Sequence, residues 1–294
     1  MMAAPFALDD GPAYAAWREA KLAAAPRRLD DIVVAVGDPR ALTAAERARL
    51  LALCATANMA LYAGGSGADG DKEIPRRLGV QLGLQRLDGN FLADDDGISP
   101  LAAQAAGAPV TRREFIPYTD KAIRWHTDGY YNPPQRTVRG MVLHCVQSAP
   151  SGGENRLLDH ELAYILLRDR DPAHIRALMA PDAMTIPARH QDDGVARPEQ
   201  PGPVFSVDAG GFLHMRYTAR TRSIVWKDDA ETRAAVAALE ELLEQGTPWT
   251  LRGRLEPGMG LVCNNVLHDR SAFSDSESQR RLLYRARYYE RISG

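Results

Sequence analysis

The stretch Arg124-Trp125-His126-Thr127-Asp128-Gly129-Tyr130-Tyr131, taken with Asn264-Asn265-Val266-Leu267-His268-Asp269-Arg270 far downstream, contains the residue types of a metal site. His126 and Asp128 are two apart, and in an extended segment such side chains leave the same face. With His268 they can offer one ion two imidazole nitrogens and one carboxylate oxygen. Three protein ligands with the remaining positions open is the arrangement that suits non-haem Fe(II) and its oxygen chemistry. A lone His-x-Asp is more often a surface turn. A histidine inside an apolar run, such as His144 in Val142-Leu143-His144-Cys145-Val146, reads as a satisfied core residue.

The third component is the segment Arg280-Arg281-Leu282-Leu283-Tyr284-Arg285-Ala286-Arg287. Its pattern predicts a strand in which Arg281, Leu283, Arg285 and Arg287 share a face. Three arginines on one face are costly in a core without acids. That face is therefore either solvated or the wall of a polar cavity that takes anions, for which the two parallel hydrogen bonds of a guanidinium to a carboxylate are well suited.

The elements that must hold these residues are mostly strands. Short β-rich runs are expected at 138–146, 183–187, 204–207, 212–217, 249–255, 260–264 and 282–289, separated by Gly, Pro and Asp clusters, as in an all-β sandwich or barrel. Helices are expected at 11–24, 42–62, 159–170 and 229–245. The second begins with the capping box Thr43-Ala-Ala-Glu46 and carries Leu50, Leu53, Cys54 and Leu61 as a buried stripe. The stretch 63–75 reads as a loop, and so does the Pro- and Asp-rich stretch 187–203, of the kind that forms lids or binding loops. The expectation is a mainly β fold with flanking helices, a double-sheet jelly roll with a recessed site. It is read as one domain over 1–294 with a helical N-terminal part of about 1–62.

Composition narrows the class. Hydrophobic residues make up 45% and charged residues 25% of the 294 residues, ordinary for a soluble protein with a sizeable core. A net charge of −2 lacks the basic excess of a dedicated nucleic-acid binder. Cys54, Cys145 and Cys263 are too few and too scattered for a disulfide framework or a cysteine zinc site, and read as buried free thiols. The N-terminal stretch lacks a basic region and is interrupted by Asp9 and Asp10, unlike a signal peptide. No uncharged run approaches the roughly 20 residues of a membrane span. A cytoplasmic protein is expected, with peripheral membrane contact and homo-oligomerisation left open.

Together, His126-x-Asp128, His268 with Arg270 two residues on, Gly152-Gly153-Glu154-Asn155 and the Arg-Arg-x-x-x-Arg strand resemble the taurine dioxygenase-like (TauD/TfdA) family of Fe(II)/2-oxoglutarate-dependent oxygenases, from about Phe115 to Tyr289. The resemblance implies a double-stranded β-helix (jelly roll). It implies Fe(II) as the metal, 2-oxoglutarate and dioxygen as cosubstrates, and His126, Asp128 and His268 as ligands. It implies that Arg281 pairs with the far carboxylate of 2-oxoglutarate, and that Arg285 contacts its other end or an acidic substrate. Where the family commonly has Thr in a Gly-Gly-Asp-Thr turn, this chain has Asn155, whose amide can donate the same hydrogen bond. Two other classes use the same ligands, a zinc hydrolase or cupin-type isomerase and a non-catalytic jelly roll. The first has no use for Arg281, and the second usually loses a ligand.

For the primary substrate, Tyr130 and Tyr131 are expected either at the pocket mouth or packed on a sheet. Arg216, Arg220 and Arg222 form either a solvated loop or, with Arg124 and Arg285, an electropositive entrance for an anionic small molecule or sugar acid. Chain length and the interval between His126 and His268 are similar to the branch that hydroxylates Kdo, the acidic sugar of lipopolysaccharide. A sulfonate- or amino-acid-oxidising relative is the competing version.

Overall fold

Asn58 marks the first departure from the expected elements. The helix Ala44–Ala57 starts as its capping box dictates, with Thr43 N donating to Glu46 Oε2 (2.7 Å) and Glu46 N to Thr43 Oγ1 (3.3 Å). It ends because Asn58 adopts φ 59°, the left-handed conformation that closes helices. The apolar run that follows is therefore the strand Met59–Gly64 rather than more helix. Leu50, Leu53 and Cys54 are buried from the helix and Leu61 from the strand. The N-terminal part also carries the strand Val33–Val36, which pairs in parallel with Met59–Gly64, Val33 opposite Leu61. Ala44–Ala57 is the crossover that a parallel pair requires.

The computed structural model describes residues 5–89, 93–103, 115–191 and 194–293, with backbone only at 190, 191, 194–196 and 223. Residues 1–4 of the N-terminal stretch and 192–193 of the stretch read as a loop lie outside the described residues. The chain forms two compact units, each built from three segments. The first is Met1–Ala25, Arg124–Thr137 and Leu158–Thr250; the second is Pro26–Ile123, Val138–Leu157 and Leu251–Gly294.

In the second unit, a six-stranded sheet runs in the order Val33–Val36, Met59–Gly64, Met259–Cys263, Gly140–Gln147, Leu282–Tyr288, Ser99–Leu101. A second sheet runs Leu251–Gly253, Asn155–Leu158, Leu267–Arg270, with Ile123–His126, where the chain leaves this unit, as its fourth strand. Leu157, Leu251 and Leu255 of the second sheet and its flank share one hydrophobic core with Leu61, Met141, Leu143, Leu261 and Val262 of the first. The helix Glu73–Gln81 lies close on the strand Leu282–Tyr288. A Cβ at Gly79 would stand 2.6 Å from the Tyr288 hydroxyl, so only glycine fits there.

The first unit is mostly helical: Gly11–Ala24, His160–Arg170, Pro172–Leu178 and Ala230–Gln245, with Asp10, Asp159, Asp171 and Asp229 as N-caps. Lys21 is buried and paired with Asp159 (2.6 Å) and Glu161. The stretch 187–203 is not a plain loop. It forms the hairpin Arg189–Gln191 with Gly194–Arg197, and the strand Gln200–Gly202 on Met184–Ile186. Gln200–Gly202 is an edge strand, the position in a sheet that accepts Pro201. Among the described residues no helix is long and apolar enough to cross a membrane.

The strand Leu282–Tyr288 forms as its alternation predicts, but its arginine face is not solvated: Arg281, Arg285 and Arg287 are 5%, 8% and 2% exposed. Arg287 takes a third course, an ion pair with the buried Asp88, which also accepts from the Tyr289 hydroxyl (2.9 Å). Breaking a pair this deeply buried costs about 3–5 kcal/mol. Asp88→Asn is therefore expected to lose about that much unfolding free energy in urea denaturation. The apolar double replacement Asp88→Leu/Arg287→Met should recover most of it. A loss below about 1 kcal/mol in the single variant would show that the pair is not buried as described.

Candidate active site

Each ligating residue is fixed by its own backbone. Thr127, fully buried between His126 and Asp128, receives a lock on both sides: its N–H donates to Tyr217 O (2.9 Å) and its hydroxyl accepts from Tyr217 N (3.0 Å). Trp125 anchors the preceding residue, its indole N–H donating to Leu243 O (3.1 Å). Gly129, at φ 68°, turns the chain directly after Asp128, a conformation that favours glycine. Downstream, Asn265 holds φ 53° and donates to Val138 O (2.7 Å), while Asn264 donates to Cys54 O and Asn58 Oδ1 (both 3.2 Å). This paired-asparagine turn delivers His268 on the strand Leu267–Arg270.

The two histidines are held alike. His126 Nδ1 lies 2.9 Å from Arg124 O, and His268 Nδ1 lies 2.9 Å from Val266 O. A carbonyl only accepts, so in the neutral ring Nδ1 carries the proton and Nε2 carries the lone pair, the tautomer a metal-ligating histidine needs. His126 Nε2 and Asp128 Oδ1 are 3.8 Å apart, beyond a hydrogen bond. His126 and Asp128 belong to the first unit and His268 to the second. Two neutral nitrogens and one carboxylate oxygen fit a divalent first-row ion with open positions, and these are the residues that would hold it.

In the second unit a glycine turn lies beside the strand of His268. The turn Gly152-Gly153-Glu154-Asn155 is zipped to the segment after His268. Gly153 N donates to Ala272 O (3.1 Å), Glu154 N to Ser271 Oγ (3.0 Å), Ser271 N to Glu154 O (2.8 Å), and Asn155 Nδ2 to Asp269 O (2.7 Å). Gly152 and Gly153 have φ 72° and 74°, and a Cβ on Gly152 would meet Ala272 O at 2.2 Å. Asp269 pairs with Arg156, accepting from its N–H (2.9 Å) and Nε (2.7 Å). A small cavity of about 20 Å³, partly open to solvent, is lined by His268, Asn155 and the leucines Leu143, Leu157 and Leu261. A second pocket, closed too tightly to hold a water, is lined by Arg281, Gly153, Leu283 and again Asn155. Asn155 is thus common to the cavity of the ligand and the cavity of the arginine.

Arg281 has no hydrogen bond or ion pair from its guanidinium among the described residues, and its Nη1 is buried. Burial pushes it down to about 10, opposed by Cys145 and Asp275; it stays charged at neutral pH. Such a group fits a ligand carboxylate. Arg285 is buried in the same strand, opposite Leu143 and Ser99. Sequence reasoning left two residues out of the site. Arg270 is 4% exposed and stands, like Arg281, over Phe273, at 4.8 and 5.1 Å from the ring centroid. Burial first, and then the charge of Arg281, pushes Arg270 down to about 9. Arg197 has its guanidinium 5.8 Å over the Tyr131 ring and donates to Pro187 O (2.7 Å). The only sequence signal for Arg270 was its place two residues after His268; for Arg197 there was none.

The expected substrate residues divide. Tyr130 and Tyr131 are half-buried and meet edge to face at 5.2 Å. Arg216 spends its donors on three carbonyls, Tyr130 O (2.7 Å), Met184 O (3.1 Å) and Gln200 O (2.6 Å), so it is a clamp on the tyrosine segment. Arg220 is half-buried, whereas Arg124 and Arg222 are exposed. His144, as expected, is a buried core residue bonded to the Tyr62 hydroxyl (2.9 Å), with burial lowering its pKa.

Comparison with known proteins gives the same chemistry. Residues 87–287 match the sequence profile of the Taurine catabolism dioxygenase TauD, TfdA family. A uridine-5′-phosphate dioxygenase of Amycolatopsis sp. is 32% identical over 175 residues, 56% of this chain and 60% of that protein. One of Streptomyces sp. is 31% identical over 178 residues, 58% and 62% of the two chains. The match thus spans about 60% of the length of these curated relatives. The structure of an asparagine oxygenase in complex with Fe(II), 3-hydroxyasparagine and succinate covers 85% of this chain and 81% of its own. Its TM-score is 0.61 and its identity 15%, a likeness of fold. That fold is the double-stranded β-helix, as expected from the strand pattern.

Removing the one anionic ligand should be felt by the metal before any chemistry. Asp128→Ala is expected to weaken Mn(II) binding by at least about 100-fold in a titration followed by the free-ion EPR signal. Exposed Arg124→Ala should leave it unchanged. Equal affinities for wild type and Asp128→Ala would remove Asp128 from the ligand set.

Proposed function

The chain belongs to the taurine catabolism dioxygenase TauD, TfdA family of Fe(II)- and 2-oxoglutarate-dependent dioxygenases, and from that premise we propose that it hydroxylates a C–H bond of an anionic small molecule, with a nucleoside 5′-phosphate as the first candidate. The observation that carries the reading lies beside His268. An uncompensated buried Arg281 shares with the ligand's own cavity the turn residue Asn155.

In this reading His126, Asp128 and His268 hold the iron. Asp128 offsets part of its charge, and the two carbonyl-bound imidazoles present Nε2. Iron bound with 2-oxoglutarate and dioxygen supplies the oxidising power to insert one oxygen atom into a C–H bond while the cosubstrate leaves as succinate and carbon dioxide. Arg281 takes the far carboxylate of the cosubstrate through paired charge-assisted hydrogen bonds, with Asn155 beside it. Arg285 serves its other end. Leu143, Leu157 and Leu261 exclude water from the cavity of His268, which strengthens each electrostatic contact made there. No side chain is needed as a general base. Residues 1–294 are read as one catalytic domain.

On the substrate side, Tyr130 and Tyr131 follow Asp128 after Gly129, and their backbone is clamped by Arg216 and Arg197. A rigid aromatic pair next to a ligand suits a planar ring by stacking, and Arg197 and Arg220 supply positive charge for a phosphate. The two relatives named for uridine 5′-phosphate support this class. The Kdo sugar acid and the sulfonate or amino-acid substrates remain as comparison substrates. Three buried cysteines with no disulfide among the described residues fit a reducing compartment, and a cytoplasmic location is part of the proposal.

The test is substrate-stimulated turnover. The iron-loaded protein is supplied with 2-oxoglutarate and each of uridine 5′-phosphate, Kdo, taurine and an amino acid, and succinate is measured together with the mass of the second product. Uridine 5′-phosphate is expected to raise succinate formation at least about tenfold over the uncoupled rate and to gain one oxygen or its oxidation product. Stimulation by Kdo or taurine alone would replace the substrate assignment. Succinate from none of them, with iron loaded and 2-oxoglutarate bound, would overturn it.

A further inference from the structure

We propose that Arg270 is a second cationic residue of the cosubstrate site, which with Arg281 makes a two-charge field that selects a 2-oxo acid bearing a far carboxylate. The inference rests on the reading that Arg281 anchors that carboxylate.

The buried Arg287 of the same unit has an acid, Asp88, and the part-exposed Arg156 has Asp269. Arg270 and Arg281 do not: among the described residues no carboxylate lies in ion-pair range of either guanidinium, although both are about nineteen-twentieths buried. They nevertheless lie against the same ring. Phe273 is 5% exposed, its N–H is tied to Asp120 O (3.0 Å), and both guanidinium carbons stand over it. Gly153 keeps the other side open, since a Cβ there would come to 3.5 Å from Arg281 Nε and 3.6 Å from Phe273 Cβ.

Two like charges on one aromatic platform repel strongly at low dielectric. An aromatic face offsets only a small part of that repulsion. Asp120 reaches the Arg270 guanidinium only through space, and so does Asp275 the Arg281 guanidinium, although it accepts from the Arg281 backbone N–H (2.9 Å). The arrangement is therefore poised to receive an anion on the side of Arg281 that faces Gly153 and Asn155. Arg270 does not reach in by itself. Its Nη2 is held by Thr119 O (2.9 Å) and Lys121 O, while its Nε is buried without a hydrogen-bond partner. It is a positioning residue. It fixes Phe273, through Phe273 the orientation of Arg281, and it adds its charge through space.

The test uses the Mn(II)-loaded full-length protein, so that binding is measured without turnover. Titration calorimetry compares 2-oxoglutarate with 2-oxovalerate, which has the same 2-oxo acid head and no far carboxylate. Arg270→Met is expected to weaken 2-oxoglutarate about tenfold or more, to leave 2-oxovalerate unchanged, and to flatten the salt dependence of 2-oxoglutarate binding. Arg270→Lys, which keeps the charge, should retain most of the preference. Arg270→Gln is the second variant if the methionine variant does not fold, and must show the same split. Equal weakening of both acids, or no change in either, overturns the inference while leaving Arg281 in place. Failure of the wild type to prefer 2-oxoglutarate overturns the reading of Arg281, and this inference with it.

Discussion

Taking a guanidinium out of water without giving it a carboxylate is the constraint on which this structure turns. An unpaired buried charge costs several kcal/mol, and the fold meets that cost in two different ways. At Arg287 it supplies an acid, the buried Asp88. At Arg281 and Arg270 it supplies only an aromatic ring and carbonyls. The difference separates arginines that serve the fold from arginines that await a ligand. It also explains why the glycine turn before Asn155 is so closely hydrogen-bonded to the segment after His268. Charged groups without acids keep their places only if the backbone around them is held.

The metal ligands obey a complementary rule. Each histidine is oriented by a carbonyl two residues back, and the adjoining backbone is held by amide or hydroxyl groups: Thr127 at one, Asn264 and Asn265 at the other. Short-range locks of this kind limit rotamer freedom at the histidines. The same logic appears at Tyr130 and Tyr131. Arg216 and Arg197 hold their main chain, and the rings are left to form the surface beside Asp128.

Much of this was legible in the sequence, for local reasons. Alternation gave the strand Leu282–Tyr288, and caps gave the helices from Ala44, His160 and Ala230, because those signals act within a few residues. The proposed ligand triplet rests on residue types and the order of motifs. What escaped was set by partners distant in sequence. Asn58 in a left-handed conformation, rather than any change in hydrophobicity, turned the expected end of a helix into the strand Met59–Gly64. Pairing with Met184–Ile186 made an edge strand out of a proline-rich stretch. Arg287 gave no hint of Asp88, nor Arg270 of its place against Phe273, since nothing in a face of alternating arginines says which of them will meet an acid. Arg216 looked like part of an anionic entrance, yet its donors are spent on backbone carbonyls.

The central claim is that one ion held by His126, Asp128 and His268 receives 2-oxoglutarate whose far end lies at Arg281. Its most direct test is the visible absorption that arises when 2-oxoglutarate chelates Fe(II). Under strict exclusion of oxygen, the iron-loaded protein is titrated with 2-oxoglutarate. The account predicts a saturable band for the wild type. In Arg281→Met the same band should appear only at much higher 2-oxoglutarate concentration, and in His268→Ala it should be missing. Iron bound tightly by the wild type with no band at any 2-oxoglutarate concentration, or an Arg281→Met titration that overlays the wild type, would contradict it.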